Sequence, residues 1–241
     1  VEHAVFRRSA RIVLNTEAAC AAYREAYRGR IPASRFTCVR NAYDPGLFSP
    51  VGDVSSPLFR VLYFGRFSRF VEPAVLLRAF RLFVEREALA PSEARLVFAG
   101  GLRQPDLAAI RQHDLTLYAD LRGYVPYHES LGLLRSAHVL CLVAGPDRAL
   151  QIPGKLYDYL AARRPILALS ANAELDQILA ATGSGTSVRH DDPTEAALQL
   201  GRLHARFRRG EPFDLDPSTI EPYAARAQAR ALAAVLDEAT A

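Results

Sequence analysis

The stretch that decides the fold is QIPGKLYDYLAARRPILAL, residues 151–169. Its Pro-Gly-Lys turn predicts the start of a short helix. The apolar residues from Ile166 onward predict a strand directly after that helix. A helix that leads straight into an apolar strand is typical of a βαβ unit. The stretch therefore indicates a parallel sheet covered by helices.

The same stretch carries residues suited to a phosphate. Gly154 and Lys155 lie at the predicted helix start, where unpaired backbone N–H groups and the positive end of the helix dipole favour an anion. Asp158 follows Lys155 by three residues, so both side chains leave the same helix face. The cation can hold a diphosphate, and the carboxylate can accept from both hydroxyls of a ribose. We interpret the turn as a nucleotide site. The alternative is a surface Lys–Asp pair on an ordinary crossover helix.

Outward from this stretch, predicted strands and helices alternate along the chain. One helix carries an apolar stripe at i, i+3, i+4 and i+7, formed by Leu76, Ala79, Phe80 and Phe83. Another has start signals in Asp192 as N-cap, Pro193 at the first position and Glu195 to complete a capping box. We expect an α/β fold, a Rossmann-like parallel sheet with helices on both faces. The predicted strands are residues 11–15, 36–40, 60–64, 95–99, 121–125, 138–143, 166–169 and 186–189.

A second candidate turn follows the strand at residues 60–64. Gly65 would let a phosphate approach the backbone closely, Arg66 follows it, and Arg69 lies one turn further on. Because the crevice of such a sheet lies at the carboxyl ends of its strands, this turn and the Pro153–Asp158 turn are expected on one edge. The alternative interpretation of Arg66 is that it is an ordinary solvent-exposed arginine in a loop.

Other chemistry-bearing patterns are weak. The chain has neither a GxGxxG after its first strand nor a GxxxxGK[ST] motif. His190, Asp191 and Asp192 could suggest a metal, but Asp192 already has a capping role. His138 begins an apolar strand and is expected to be structural. We therefore expect no metal site and no cofactor.

Composition narrows the class of protein. The 241 residues include 30 Lys and Arg against 26 Asp and Glu, and this net charge of +4 is spread along the chain. It indicates anionic partners, not a nucleic-acid groove. Cys20, Cys38 and Cys141 lack the spacing of zinc or redox motifs, which favours a reducing compartment. No apolar run approaches the roughly 20 residues of a membrane span. We predict a cytoplasmic protein, with the inner face of the membrane as the second option.

Five segments together resemble a known family. They are VRNAYDPGLFSP (39–50), FRVLYFGRF (59–67), RLVFAGG (95–101), LRGYVPYHESLGLLRSAHVLCLV (121–143) and IPGKLYDYLAARRPILAL (152–169). In this order and spacing they resemble the C-terminal part of a retaining GT-B glycosyltransferase, from the large nucleotide-sugar-dependent family numbered four (glycosyl transferases group 1).

The resemblance implies a domain organisation. Residues 1–50 would be the last strand–helix–strand portion of an N-terminal acceptor domain, most of which lies outside this sequence. Residues 51–57 would be a linker, residues 58–216 a nucleotide-sugar-binding domain, and residues 217–241 a helix that crosses back to the N-terminal domain.

The resemblance also implies site residues. Arg66 and Lys155 would act in catalysis by contacting the donor diphosphate, together with the amides of Gly154–Leu156. Asp158 would replace the family's ribose-binding glutamate, and backbone near Gly123 and Tyr124 would meet the base. No metal ion would be needed. The implied donor-binding set is Gly65, Arg66, Arg69, Gly123, Tyr124, Pro153, Gly154, Lys155, Leu156 and Asp158.

The sequence departs from the family at three positions. The carboxylate is Asp158 where glutamate is usual, so its reach is one methylene shorter. Leu150 stands where a glutamate often faces the donor sugar. Val71 and Glu72 stand near the place of a lysine that usually follows the Gly-Arg pair. A subgroup with a Pro-Gly/Ser-Lys signature shares this pattern.

The resemblance therefore predicts a glycosyltransferase that moves a sugar from a nucleoside diphosphate sugar to an acceptor, in glycan or polysaccharide biosynthesis. The nucleotide sugar is a substrate, so no cofactor is expected. The acceptor is open, no nucleic acid is expected, and peripheral membrane contact would come through the N-terminal domain. Two alternatives stay open: a nucleotide-sugar epimerase of the same architecture, and a non-catalytic nucleotide-binding or assembly module.

Overall fold

The computed structural model describes residues 1–48, 56–67 and 73–240. The strands in these ranges are β1 (Ile12–Leu14), β2 (Phe36–Cys38), β3 (Phe59–Phe64), β4 (Ala94–Ala99), β5 (Ala119–Gly123), β6 (Val139–Ala144), β7 (Ile166–Ser170) and β8 (Gly185–Arg189). The helices are α1 (Glu2–Arg8), α2 (Glu17–Ala26), α3 (Ala74–Arg86), α4 (Gln104–Gln112), α5 (Tyr127–Ser136), α6 (Lys155–Ala162), α7 (Ala173–Thr182), α8 (Pro193–Arg208), α9 (Pro217–Ile220) and α10 (Ala225–Thr240).

Six of these strands form one sheet in the order β5-β4-β3-β6-β7-β8. Every pairing in it is parallel. The chain moves outward from β3 to β5, then returns to the other side of β3 and continues to β8. In an open α/β sheet, ligands bind outside the carboxyl ends of the strands at the point where the order reverses. The turns after β3 and β6 flank that point here.

Apolar layers cover both faces of this sheet. Val61 and Tyr63 of β3 pack into one layer with α3, whereas Leu62 packs into the other with α5, α6 and α7. The four residues of the predicted stripe on α3 are all buried in the first layer. The predicted α/β fold, with a parallel sheet between two helical layers, is confirmed.

Residues 11–43 form a smaller unit beside the large sheet. Strands β1 and β2 pair in parallel, and α2 connects them. The final helix, α10, contacts this unit: the guanidinium of Arg11 lies 2.5 Å from the Glu238 carboxylate, and Gln228 accepts from the amide of Arg40 at 2.7 Å. The last helix thus lies against the first strands of the chain.

Some boundaries differ from the sequence prediction. Helix α1 was not predicted, because none of its residues is buried and it carries no apolar stripe. Strand β5 begins two residues earlier than predicted and ends at Gly123, whose φ of +64° turns the chain. Asp192 caps α8 as predicted, but Glu195 accepts from Gln199 and does not complete a capping box. Residues 51–55 of the predicted linker lie outside the described residues.

None of the helices in the described ranges is both long enough and apolar enough to span a lipid bilayer.

Candidate functional site

Three glycines join the carboxyl ends of β3, β4 and β5. The Gly65 amide donates to the carbonyl of Ala99, and the Gly100 amide donates to the carbonyl of Gly123, both at 2.7 Å. All three glycines have positive φ, +109°, +144° and +64° in chain order. A Cβ on Gly100 would lie 2.2 Å from the Gly65 carbonyl oxygen. Only glycine allows this approach. The turns at Gly65, Gly100 and Gly123 therefore form one continuous backbone edge, which we call the glycine rim.

Lys155 lies against this rim. A Cβ on Gly65 would be 3.0 Å from Lys155 Nζ, and Nζ itself is 4.0 Å from the centre of the Tyr63 ring. Arg66 follows Gly65 and is exposed, with its Nε 4.0 Å from where a Cβ on Gly101 would stand. The structure therefore places Lys155 and Arg66 at the same edge of the sheet, at the point of strand-order reversal. Lys155 is the only lysine in the sequence.

The environment of Lys155 disfavours its positive charge. Burial and, to a lesser extent, the nearby positive charge of Arg148 together lower its pKa to about 7. The Tyr63 ring face offsets only part of this cost. A doubly charged phosphate group would supply the missing counter-charge and would stabilise the ammonium form of Lys155.

Arg148 is a cation that the sequence interpretation did not assign to the site. It lies in the loop between β6 and α6, close enough to Lys155 to affect its titration. The available signal was its position, since this loop follows an apolar strand at the ligand-binding edge.

The start of α6 leaves backbone donors at the site. Gly154 is the N-cap residue and provides no side-chain cap. The Leu156 amide donates to the Pro153 carbonyl at 2.9 Å, so this predicted phosphate contact is already engaged within the first turn. Within the part of the chain that the structure describes, the amides of Gly154 and Lys155 have no acceptor. These two amides and the helix dipole favour an anion.

Asp158 lies one turn beyond Lys155 on α6. Its side chain is half-buried, and burial raises the pKa of the carboxyl, opposed by the hydrogen bond from Tyr127. The Tyr127 hydroxyl donates to Oδ1 at 2.8 Å. Burial and this carboxylate raise the pKa of Tyr127 to about 12, so the phenol stays protonated and keeps donating. The second carboxylate oxygen has no hydrogen-bond donor in the described ranges, so it can accept from a hydroxyl ligand.

Tyr127 was also missed from the sequence. It is the first residue of α5 and follows the turn after β5. Tyr124 in that turn is 85% exposed, next to Gly123 on the rim. Predicted Arg69, like Val71 and Glu72, lies outside the described residues.

A buried asparagine fixes the loop that leads to α6. Asn172 is 1% exposed, and its Nδ2 donates to the carbonyls of Arg148, Ala149 and Gln151 at 3.1–3.3 Å. Its Oδ1 accepts from the Leu175 amide at 3.0 Å and caps α7. One side chain therefore holds the Arg148 loop and starts the next helix.

Leu150 offers no carboxylate to the crevice. Its side chain is 45% exposed, and its carbonyl accepts from the Thr16 hydroxyl at 2.8 Å. At this position the chain thus supplies a backbone contact to the smaller unit.

The remaining candidates have structural roles. Asp191 pairs with Arg189 at 2.8 Å, and the Asp192 carboxylate accepts from the Glu195 amide. The His138 Nδ1 accepts from the Arg60 amide at 3.0 Å, as a structural histidine does.

Several solved structures share this fold. Sucrose-phosphate synthase from Thermosynechococcus elongatus has a TM-score of 0.72 at 18% identity, over 98% of this chain and 60% of its own. A glycosyltransferase from Rickettsia africae has a TM-score of 0.73 at 11% identity, over 98% of this chain and 64% of its own. HepE from Anabaena, in complex with UDP and glucose, has a TM-score of 0.63 at 14% identity, over 98% of this chain and 62% of its own.

The chain therefore spans less than two thirds of the length of these proteins. No protein-family model matches the sequence, and no curated protein matches it either. At 11–18% identity the likeness shows a shared fold.

Proposed function

We propose that this chain is the donor-binding part of a retaining GT-B glycosyltransferase, which transfers a sugar from a nucleoside diphosphate sugar to an acceptor. One observation carries the proposal: the only lysine of the sequence lies against Gly65 at the point of strand-order reversal, beside two backbone amides that have no acceptor among the described residues. This arrangement suits a diphosphate. The shared fold of the sucrose-phosphate synthase and the two other structures supports the same class of reaction.

Each residue of the site then has a chemical role. When the bond between the sugar and the diphosphate breaks, negative charge develops on the departing oxygen. Lys155, with the Gly154 and Lys155 amides, stabilises that charge, and Arg66 adds a second cation at the same edge. Preorganised donors of this kind are worth several kcal/mol in a water-poor site. Asp158, oriented by Tyr127, accepts from the ribose hydroxyls.

The proposal extends to donor and pathway. HepE was solved with UDP and glucose, so a uridine nucleotide is the first donor to test. The family-four resemblance supports retention of configuration and a role in glycan or polysaccharide biosynthesis. Determining which anomer the complete protein forms as its product tests the retention of configuration.

Calorimetry tests the donor site directly. Titration of the chain with UDP, GDP and dTDP is expected to give binding by at least one of them, weakened at least tenfold by Lys155→Ala and by Asp158→Ala. The matched control is Arg111→Ala, which removes an exposed cation in the last turn of α4 and is expected to leave binding unchanged. Binding that neither site variant affects would place the nucleotide elsewhere and overturn the proposal.

The epimerase alternative differs in its product. Incubation of the complete protein with a nucleotide sugar and no acceptor would yield an epimerised sugar only if that alternative is right. We expect the donor to stay unepimerised.

A further inference from the structure

Three side chains that suit a metal ion meet between α2 and β2. The Glu17 carboxylate and the thiols of Cys20 and Cys38 offer ligand atoms that all lie within 4.8 Å of one another. Glu17 and Cys20 are three residues apart on α2 and share a helix face. Cys38 comes from the neighbouring strand. The fold thus assembles a ligand set that the linear spacing of the cysteines does not reveal.

The burial of the three groups is graded. Cys20 is fully buried, Cys38 is half-buried, and Glu17 is exposed. The thiols therefore form the inner wall of the cluster, and the carboxylate faces solvent. This leaves the outer side open to water and to an entering ion.

The ligand types and spacing match a borderline-soft divalent cation. Zn²⁺ binds thiolate sulfur at about 2.3 Å and carboxylate oxygen at about 2.0–2.2 Å, in tetrahedral geometry. Ligand atoms around such an ion lie roughly 3.5–3.8 Å apart on those bond lengths. The 4.8 Å limit of the cluster exceeds this spacing by about an ångström, which small side-chain rotations can close.

We propose that Glu17, Cys20 and Cys38 form a zinc site, with water as the fourth ligand, that fastens α2 to β2. The site would stiffen the smaller unit where it meets the large sheet, because Thr16, next to Glu17, bonds the Leu150 carbonyl.

A redox pair of Cys20 and Cys38 is the competing use of these thiols. The Glu17 carboxylate lies within 4.8 Å of both thiols and completes a metal-ligand set, whereas it would have no part in a disulfide. A Cys20–Cys38 disulfide would remove both thiol ligands and would therefore count against the metal site.

Cobalt titration of the whole chain under a non-thiol reductant tests the proposal. We expect one Co²⁺ per chain with sulfur-to-cobalt charge-transfer absorption in the near ultraviolet, displaced by Zn²⁺, and a higher melting temperature with zinc. Cys20→Ser and Cys38→Ser are expected to abolish the absorption. Glu17→Gln should weaken binding at least tenfold.

Cys141→Ser is the matched control, because Cys141 is buried in β6 outside the cluster. It is expected to keep both the absorption and the one-to-one stoichiometry. If Cys20→Ser fails to fold, the exposed Glu17→Gln variant and Cys38→Ser carry the test. Three results would overturn the proposal. They are unchanged cobalt binding in these variants, no cobalt uptake by the wild-type chain, and a Cys20–Cys38 disulfide in a chain that still takes up no cobalt after the disulfide is reduced. Nucleotide binding enters none of these measurements, so this site and the donor site stand or fall separately.

Discussion

Lys155 determines how the donor site should respond to pH. Its folded pKa of about 7 lies far below the ordinary value of 10.5. The free protein therefore loses this proton as pH rises through 7, whereas a bound diphosphate would favour the ammonium. At pH values between the pKa of Lys155 in the free protein and its higher pKa in the complex, nucleotide binding must take up a proton.

The first prediction follows from this proton uptake. UDP affinity of the wild-type chain is expected to fall by up to tenfold per pH unit between about pH 7.5 and pH 9. Calorimetry in buffers of different ionisation enthalpy measures both the affinity and the proton uptake. Lys155→Ala should bind weakly with almost no pH dependence in this range. If UDP affinity fell equally steeply with pH in Lys155→Ala, the titrating group would be another residue.

The second prediction concerns Gly100, where φ is +144° and a Cβ would lie 2.2 Å from the Gly65 carbonyl oxygen. Gly100→Ala is expected to lower the free energy of unfolding by at least about 2 kcal/mol, because it adds both a clash and backbone strain. Urea denaturation measures the change.

Gly132 in α5 provides the matched control for this substitution. It has a helical backbone, and none of the residues that the structure describes lies within 4 Å of an added Cβ. Gly132→Ala should stabilise the protein by about 0.5–1 kcal/mol. A similar change in stability for both variants would contradict the account of the glycine rim.

At the scale of elements, the loop between β6 and α6 depends on Asn172. This buried side chain uses its amide nitrogen for three loop carbonyls and its amide oxygen for the α7 cap. The loop carries Arg148 and leads into the phosphate-facing turn. The geometry of the site therefore depends on an element that does not itself contact the proposed ligand.

The third prediction is the effect of Asn172→Asp, which separates the two functions of this side chain: holding the loop carbonyls and capping α7. The carboxylate can still cap α7, but it turns an acceptor towards three carbonyls. We expect a loss of about 2–4 kcal/mol in the free energy of unfolding and weaker nucleotide binding. Asn172→Ser keeps a capping oxygen without the clash of acceptors, and it should lose less stability than Asn172→Asp. The reverse order would contradict this account of the loop.

At the scale of the whole molecule, Glu174 links the two sheets. From α7 it accepts the backbone amides of Glu17 and Ala18 at 2.9 Å, and it pairs with Arg40. Burial alone would raise the pKa of this carboxyl, but the two amides and Arg40 together hold it below its usual value. Its charge thus stabilises the joint between the smaller unit and the large sheet.

The fourth prediction is the effect of Glu174→Gln. The free energy of unfolding should fall by about 2 kcal/mol at pH 7, because the half-buried Arg40 loses its partner. Since the folded pKa is lowered, the stabilisation by the carboxylate is full above pH 4.5 and is lost as pH falls through the folded value. The difference between wild type and variant should therefore shrink in acid. Chemical denaturation at several pH values measures it.

Glu238→Gln is the control for Glu174→Gln. Glu238 pairs with Arg11 from a position that is 62% exposed, so its loss should cost under about 1 kcal/mol. Equal effects of the two substitutions would mean that Glu174 does not hold the sheets together.

Local patterns in the sequence predicted much of this molecule. The apolar strand runs, the stripe on α3 and the spacing of Lys155 and Asp158 depend on neighbours in the chain, so periodicity and helix-start signals reveal them. The Tyr127–Asp158 bond, the effect of Arg148 on Lys155 and the cysteine pair depend on which elements the topology brings together. Nothing in the linear spacing encodes those contacts.

Selective labelling of the single lysine tests the central claim most directly, that the Lys155 ammonium faces a diphosphate. Because its pKa is near 7, the amine is expected to react readily with an acylating reagent at pH 8. UDP should slow labelling of Lys155 at least fivefold, uridine should not, and labelling of the N-terminal amine should stay constant in both. Lys155 labelling that proceeds equally fast with saturating UDP would contradict the account.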